Sequence, residues 1–389
     1  MPGFELVGNE ELSEIKNIFE RSNGVLFAHG FDERRNYIYR VREFESEVAN
    51  KLSVKHCLAT TSGTMAQYIA MRALGIKPGD EVITQAFTFV ATVETIVEMG
   101  ATPVIVDIDD SFNMDPIELE KAITDKTKLI VPVHMLGNQC DMEAIMNIAS
   151  KYNIPVLEDG CEAMGAKYNN QYLGTIGHIG VFSLDFAKTI TTGEGGLIIT
   201  NDSNIEKYCR EFHDHGHENN KSLPRGNDTR TIRGLNLRMS ELQAAVGLAQ
   251  IKKLDYIVRK NRENKSLLRS LIENNKNIHF RKILDHDNEL ADTLIFTMDT
   301  ASEVNKFVKA YNSQGYYTKN LPDAVQWHFS GTWNHMFNDV PRYKDSWKDE
   351  WRKSASLIER SISIPIFVKS TRKEINKHGD IINRILNEL

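Results

Sequence analysis

Ser183-Leu184-Asp185-Phe186-Ala187-Lys188, followed closely by Thr191-Thr192-Gly193-Glu194-Gly195-Gly196, is the stretch around which this chain is organised. The apolar residues 179–182 come directly before it, and they predict a strand that ends in a lysine-bearing loop and a glycine-rich turn. Lys188 is thereby placed to form a Schiff base with a carbonyl group. An apolar setting disfavours the ammonium form, so we expect a lowered pKa and a neutral, nucleophilic amine at this position.

Short apolar runs and helical patterns alternate on both sides of this loop, from about residue 54 to residue 200. Strands are predicted over residues 57–60, 81–84, 103–107, 129–134, 155–158, 180–184 and 197–200. Helices are predicted over residues 64–74, 90–99, 116–123 and 142–152. This alternation is typical of the α/β class, with a mostly parallel sheet and crossover helices. Ligands of such sheets bind at the carboxyl ends of the strands, which is where the candidate residues fall.

The length of 389 residues exceeds the roughly 250–300 residues at which a single core tends to divide, so we expect two domains. After residue 240 the pattern changes to long helices over 241–254 and 255–274, followed by a mixed region. We predict a large domain, with the N-terminal segment, over residues 1–254 and a smaller C-terminal α+β domain over residues 255–389. The segment from about 321 to 351 holds all four tryptophans, including Trp327 and Trp347. It is interpreted either as a packed loop or as part of a substrate wall.

Charge and composition narrow the class of partner. The 47 basic and 53 acidic residues are well mixed and give a net charge of −6, so we expect no binding of nucleic acid. No run of about 18 apolar residues and no secretory signal is evident, so we expect no membrane span. The four cysteines are widely separated, which favours reduced thiols. Together these features predict a soluble, cytoplasmic protein with a small-molecule ligand.

Two segments that follow strand ends are candidates for binding one phosphate. Ser62-Gly63-Thr64 opens a helix, where backbone N–H groups and hydroxyls bind phosphate well, although an ordinary N-cap has the same composition. Ser183, five residues before Lys188, is placed to add a hydroxyl to the same phosphate.

Asp159 ends an apolar run. It is either a helix cap or a carboxylate that keeps a pyridinium nitrogen protonated. Phe89 offers a flat face to a ring, or is plain core. The conjunction of these residues with Lys188 predicts a pyridoxal phosphate site.

These motifs, together with others, resemble a known family. The shared motifs are Ser62-Gly63-Thr64, Gly79-Asp80-Glu81-Val82-Ile83, Phe87-Thr88-Phe89-Val90-Ala91-Thr92, Glu158-Asp159, Gly174-Thr175-Ile176-Gly177, Ser183 with Lys188, Thr191 to Gly196, and Gly234-Leu235-Asn236-Leu237-Arg238-Met239-Ser240-Glu241. In them the chain resembles the sugar aminotransferases of the DegT/DnrJ/EryC1/StrS type, over nearly its whole length. The resemblance implies fold type I of the pyridoxal phosphate enzymes, with an aspartate aminotransferase-like architecture.

The resemblance also implies roles for single residues. Lys188 binds the cofactor covalently and shuttles the proton, and Asp159 pairs with the pyridine nitrogen. Phe89 stacks on the ring, while Ser62, Gly63, Thr64 and Ser183 hold the phosphate. Asn236 reaches the cofactor phosphate of a neighbouring subunit, which implies a homodimer with shared active sites. The chain departs from the family at Glu162, near the ring hydroxyl, where glutamine is usual, and at Leu184-Asp185-Phe186, where an aromatic residue or histidine followed by proline is more usual.

The substrates implied by the resemblance are L-glutamate and a sugar carbonyl. Candidate substrate residues are His215, His217, Arg225, Arg230, Arg238, Trp327 and His328. The cationic side chains suit a carboxylate or phosphate, although a solvated loop explains those near residue 215 equally well. His215 and His217 would face the same way as β-like neighbours, but no zinc ligand set is completed nearby, so we expect no metal.

The acceptor is less closely defined. Met1-Pro2-Gly3-Phe4-Glu5-Leu6 and Asp214-His215-Gly216-His217 resemble the branch of the family that acts on 8-oxo-3-deoxy-octulosonate, in lipopolysaccharide or capsule biosynthesis. The alternatives are a nucleotide-linked 4-keto-6-deoxy sugar and a small keto-phosphate. Relatives with histidine in place of the lysine are sugar 3-dehydratases, so Lys188 favours the aminotransferase. A non-enzymatic regulator that retains the fold is a further alternative.

Overall fold

The computed structural model describes residues 3–220, 222–338, 340–343 and 350–389, so Met1, Pro2 and Trp347, named above, lie outside the described residues. The strands are β1 (His56–Thr60), β2 (Glu81–Gln85), β3 (Thr102–Val106), β4 (Thr127–Ile130), β5 (Leu157–Asp159), β6 (Lys167–Tyr168), β7 (Gln171–Tyr172), β8 (Ile179–Ser183), β9 (Gly196–Thr200), β10 (His279–Phe280), β11 (Thr293–Thr297) and β12 (Ser361–Pro365). The helices are α1 (Asn9–Arg21), α2 (Arg40–Leu52), α3 (Gly63–Ala73), α4 (Val90–Glu98), α5 (Pro116–Ala122), α6 (Met142–Tyr152), α7 (Ser203–Phe212), α8 (Glu241–Ile251), α9 (Leu254–Ile272), α10 (Ala301–Ser313), α11 (Val325–His328), α12 (Asn334–Phe337), α13 (Arg352–Glu359) and α14 (Arg372–Glu388).

The central sheet has the spatial order β3-β2-β4-β5-β8-β9-β1. Strands β3, β2 and β4 pair in parallel, and β5 pairs in parallel with β8. Parallel bridges from Ile130 to Val156 and from Val133 to Asp159 join the two sets. Strand β9 runs antiparallel to both of its neighbours, β8 and β1. The predicted, mostly parallel α/β sheet is confirmed, with β9 as its reversed strand.

Helix packing follows from the apolar faces that the sequence predicts. On α3, Ala66, Ile69 and Ala70 are fully buried and belong to the same apolar cluster as Val181 of β8 and Ile198 of β9. Ser62 caps this helix, with its hydroxyl oxygen accepting a hydrogen bond from the Met65 N–H. The cap and the buried face together fix the start of α3 at the edge of the sheet.

The C-terminal part builds a second core. Strands β10, β11 and β12 form an antiparallel sheet, and apolar residues of α9, α10 and α14 join it in one cluster. Phe296 and Phe307 pack edge to face at its centre, with 5.8 Å between the ring centroids. The division at residues 254 and 255 stays a prediction.

The aromatic segment after residue 321 packs back against the large sheet. Trp333 and Phe337 lie in one buried cluster with Ala86, which follows β2, and Val90, which begins α4. The Trp351 indole donates to the Ile105 carbonyl of β3 at 3.0 Å. Much of this segment is therefore core of the large sheet rather than of the C-terminal sheet.

Among the described residues, no helix combines the length and the apolar character needed to cross a bilayer.

Candidate active site

A cavity of about 500 Å³ opens at the carboxyl ends of β1, β2, β5 and β8. It brings together nine of the residues predicted from the sequence, which are Ser62, Gly63, Thr64, Phe89, Asp159, Glu162, Ser183, Lys188 and His328. These residues come from segments that are far apart in the chain and meet because parallel strands end at one edge of the sheet.

One end of the cavity fits a phosphate. The N–H groups of Gly63 and Thr64 belong to the first turn of α3, where no intrahelical acceptor exists, and the helix dipole is positive there. A Cβ atom added at Gly63 would lie 2.8 Å from the Cβ of Ser183, so glycine allows the serine hydroxyl to approach the helix start. Backbone donors and hydroxyls thus line a space that a larger side chain would fill.

Asp159 provides a buried carboxylate that is bound by neutral groups. Its Oδ2 accepts from Gln67 Nε2 at 2.7 Å and from Thr92 Oγ1 at 2.9 Å. Its Oδ1 accepts from the N–H of Cys161 at 3.1 Å. Within the described part of the chain, no cation forms an ion pair with it. A buried carboxylate held in this way suits a protonated ring nitrogen, which supplies the missing positive charge.

The sequence interpretation missed Gln67 and Thr92. Gln67 lies one helical turn after Gly63 on α3, and Thr92 lies three residues after Phe89 at the start of α4. Both spacings place a side chain on the cavity side of its helix, and they were the available signal. These two residues are expected to orient Asp159 rather than to meet a ligand.

Lys188 lies in a loop that is closed by backbone hydrogen bonds. The Leu184 N–H donates to Gly195 O at 2.8 Å, and the Gly3 N–H donates to Lys188 O at 3.0 Å. The lysine side chain is 14% exposed, and its Nζ lies 3.5 Å from Glu162 Oε1. The amine therefore points into the cavity with a carboxylate as its neighbour.

The predicted lowering of the Lys188 pKa is wrong. Burial does act to lower the pKa of Lys188, but the negative charge of Glu162 acts in the opposite direction and, with smaller effects of Cys161, Asp185 and Asp159, raises the pKa above its ordinary value. Burial alone would have given the expected sign. The protein therefore holds Lys188 as an ammonium when no carbonyl compound is bound.

An aromatic wall flanks the amine. The Phe89 ring centroid lies 6.0 Å from Lys188 Nζ, and the Trp327 ring stacks on Phe89 at 6.5 Å with an interplanar angle of 15°. His328 lines the cavity, and its Nε2 lies 2.7 Å from Asn320 Nδ2. Burial lowers the pKa of His328 despite the opposing charge of Glu162. Trp327 itself is 60% exposed beside the cavity.

Comparison with known proteins agrees with this geometry. A model of the DegT/DnrJ/EryC1/StrS aminotransferase family matches residues 34–383. The chain belongs to this family.

Two of the similar proteins within the family are GDP-perosamine synthases. The chain is 30% identical to the GDP-perosamine synthase of Vibrio cholerae over 343 residues, which cover 84% of this chain and 91% of that protein. It is 43% identical to the GDP-perosamine synthase of Caulobacter vibrioides over 216 residues, and this match spans 55% of the chain and only 56% of that relative's length.

The fold and the cofactor have structural support as well. The crystal structure of NtdA from Bacillus subtilis, with bound PMP cofactor, superposes with a TM-score of 0.84 and 26% identity, covering 99% of this chain and 84% of that one. The fold is that of fold type I aminotransferases, and the family's cofactor is pyridoxal phosphate. The cavity residues fit the phosphate and the ring nitrogen of this cofactor.

The other candidate substrate residues do not line this cavity; they are His215, His217, Arg225, Arg230 and Arg238. Arg225 and Arg238 both pair with the Asp214 carboxylate, at 2.6 and 2.5 Å, and line a separate cavity of about 690 Å³. The arginines act against burial and, with His29, lower the pKa of Asp214 to about 2. Arg230 is exposed. The substrate role of these residues stays a prediction.

The two histidines of this region do not face the same way, so that expectation is wrong. His215 is exposed and has a left-handed backbone, with φ of 57°, whereas His217 is buried and its Nδ1 lies 3.1 Å from Asp228 Oδ2. The left-handed residue breaks the β-like alternation that the pattern assumed. Among the described residues, no group of three or more histidine, cysteine or acidic side chains is placed to hold a metal ion.

Proposed function

We propose that this protein transfers the amino group of L-glutamate to the carbonyl group of a sugar, in the biosynthesis of a surface polysaccharide or lipopolysaccharide. The observation that carries the proposal is the meeting of Lys188, Asp159 and the start of α3 in one cavity. The products are 2-oxoglutarate and an amino sugar.

Seven residues of the cavity have proposed parts in this reaction. Bound pyridoxal phosphate supplies the carbonyl group and the electron sink. Lys188 would bind that carbonyl group, and its amine would move a proton to or from the reacting carbon of the substrate. Asp159 would keep the ring nitrogen protonated, while the N–H groups of Gly63 and Thr64 and the hydroxyls of Ser62, Thr64 and Ser183 would hold the phosphate. Phe89 would supply an apolar surface beside the ring.

The acceptor is proposed to be a nucleotide-linked keto sugar. Support comes from the names of the two GDP-perosamine synthases, which denote GDP-linked sugars. The exposed Trp327 beside the cavity offers a flat apolar surface of the kind that sugars stack on. As acceptors, 8-oxo-3-deoxy-octulosonate and a small keto-phosphate are alternatives predicted from the sequence.

The test is the absorption spectrum of the purified protein loaded with pyridoxal phosphate. L-Glutamate is expected to replace the visible band with the near-ultraviolet band of the aminated cofactor, and D-glutamate serves as the control. Each candidate acceptor is then added, and the true one restores the visible band. A visible band that persists with L-glutamate contradicts this donor. If the visible band is unchanged with every amino donor, the result favours a non-enzymatic regulator.

We further propose a homodimer in which each active site takes Asn236 from the other subunit. Asn236 is exposed and lies outside the Lys188 cavity. Its neighbour Leu235 is 48% exposed. Phe27 is also exposed, and its ring centroid lies 5.2 Å from the guanidinium carbon of Arg238, two residues after Asn236. Exposed apolar side chains around a polar residue suit a subunit interface.

Mixed dimers test the shared site. Lys188→Ala and Asn236→Asp subunits with different tags are co-expressed, and the mixed dimer is purified on both tags. Each homodimer is expected to be inactive, because Asn236→Asp sets a negative charge opposite the phosphate. The mixed dimer is expected to retain about half of the wild-type activity, since one of its two sites is intact. An inactive mixed dimer contradicts the shared site.

A further inference from the structure

Glu162 is a buried carboxylate in a fixed position. Its side chain is 4% exposed, and its Oε2 accepts from the N–H of Leu136 at 3.1 Å. Leu136 is itself held, because its carbonyl accepts from Arg281 Nη2 at 2.7 Å. One carboxylate oxygen is therefore anchored to the backbone, and the other, Oε1, lies 3.5 Å from Lys188 Nζ.

The surroundings keep this carboxylate ionised. Burial acts to raise the pKa of Glu162, but Lys188, His328 and Lys319 together lower it below its ordinary value. The negative charge of Glu162 also acts on the buried guanidinium of Arg281, which donates to the Leu136 carbonyl. Glu162 therefore carries a negative charge at neutral pH.

We infer that Glu162 is a positioning residue, whose backbone-anchored carboxylate holds the ε-ammonium group of Lys188 through an ion pair. The other groups that face the amine have smaller effects: Asp185 from the same loop, Asp159 from the end of β5, and Cys161. The centroid of the Phe89 ring lies 6.0 Å from Lys188 Nζ. A neutral amide in place of Glu162 has no charge with which to hold the ammonium group.

The ion pair with Glu162 affects how the reactivity of Lys188 depends on pH. Only the neutral amine attacks a carbonyl group, so the rate of attack at a given pH follows the fraction of Lys188 that has lost its proton. This inference rests on the proposed role of Lys188 as the cofactor-binding amine. Its test uses the cofactor-free protein and therefore does not depend on that role.

The experiment is competitive acetylation with acetic anhydride across a pH series, with the labelling of Lys188 measured by peptide mass spectrometry. Lys207, which is exposed on α7, serves as the internal reference. In Glu162→Gln the folded-state pKa of Lys188 falls, so the neutral amine appears at lower pH. Labelling of Lys188 at neutral pH is expected to be roughly tenfold faster than in the wild type, because an opposite charge at this distance has been removed.

Two further variants complete the test. Glu45→Gln is the matched control, since Glu45 is also a buried carboxylate, accepts from the N–H of Ala59 and does not line the Lys188 cavity. Glu162→Met is a second neutral variant of similar length, in case the glutamine variant lacks a cooperative thermal transition. An unchanged or raised labelling midpoint in a folded neutral variant overturns the inference. A failure of transamination with L-glutamate would instead overturn the proposed function and leave the labelling result standing.

Discussion

Replacing Lys188 by alanine is expected to abolish transamination, with a loss of at least about 10³-fold in the rate. The variant loses both the amine that binds the cofactor carbonyl and the group that moves the substrate proton. Borohydride reduction of the wild type, followed by peptide mapping, is expected to find the cofactor attached at residue 188. The same treatment of the variant is expected to find no attachment.

Lys207→Ala is the matched control for this prediction, because Lys207 is exposed on α7 and its Nζ lies 3.7 Å from Glu211, far from the cavity lining. This control is expected to keep wild-type turnover. A cofactor adduct that maps to another lysine of the cavity, Lys319, contradicts the assignment of Lys188.

Replacing Asp159 by asparagine is expected to give the second largest effect. The amide has nearly the same shape but no charge to keep the ring nitrogen protonated, so turnover is expected to fall by at least about 10²-fold at saturating cofactor. Stability is expected to fall by about 1–3 kcal/mol, since the donors Gln67, Thr92 and Cys161 N–H meet one acceptor oxygen instead of two. Rates with L-glutamate and chemical unfolding measure the two effects separately.

Asp141→Asn provides the control for the asparagine substitution. Asp141 caps α6 by accepting from the Ala144 N–H at 3.1 Å, and asparagine caps equally well. This variant is expected to match the wild type in rate and stability. If Asp159→Asn keeps the wild-type rate at saturating cofactor, Asp159 has only a structural role.

Most of the fold around the site was predictable, because its signals are local. The predicted helix over 142–152 coincides with α6 (Met142–Tyr152), and the predicted strands from 57 to 200 correspond to β1, β2, β3, β4, β5, β8 and β9. The strand predicted over 129–134 ends at Ile130, and beyond it Val133 forms an isolated parallel bridge with Asp159. Apolar runs cannot reveal such an end, since the following residues are equally buried.

The reversed direction of β9 had only a weak signal in the sequence. A buried apolar strand reads the same in either direction, and only the short glycine-rich connection after Lys188 favours an antiparallel neighbour. Similarly, the long aromatic segment after residue 321 gave no indication that it packs on Ala86 and Val90, between β2 of the large sheet and α4. These are long-range contacts, which depend on the whole topology.

By itself, the sequence determined which residues stand at the strand ends: Ser62 to Thr64, Phe89, Asp159, Ser183 and Lys188. Short-range apolar patterns, caps and glycine positions are sufficient to place them. Only the tertiary structure decided that Gln67 and Thr92 bind Asp159, that Arg225 and Arg238 turn to Asp214, and that Glu162 raises the pKa of Lys188. The reason is physical: electrostatic and hydrogen-bond effects depend on distances of a few ångströms between segments far apart in the chain, and these distances exist only after folding.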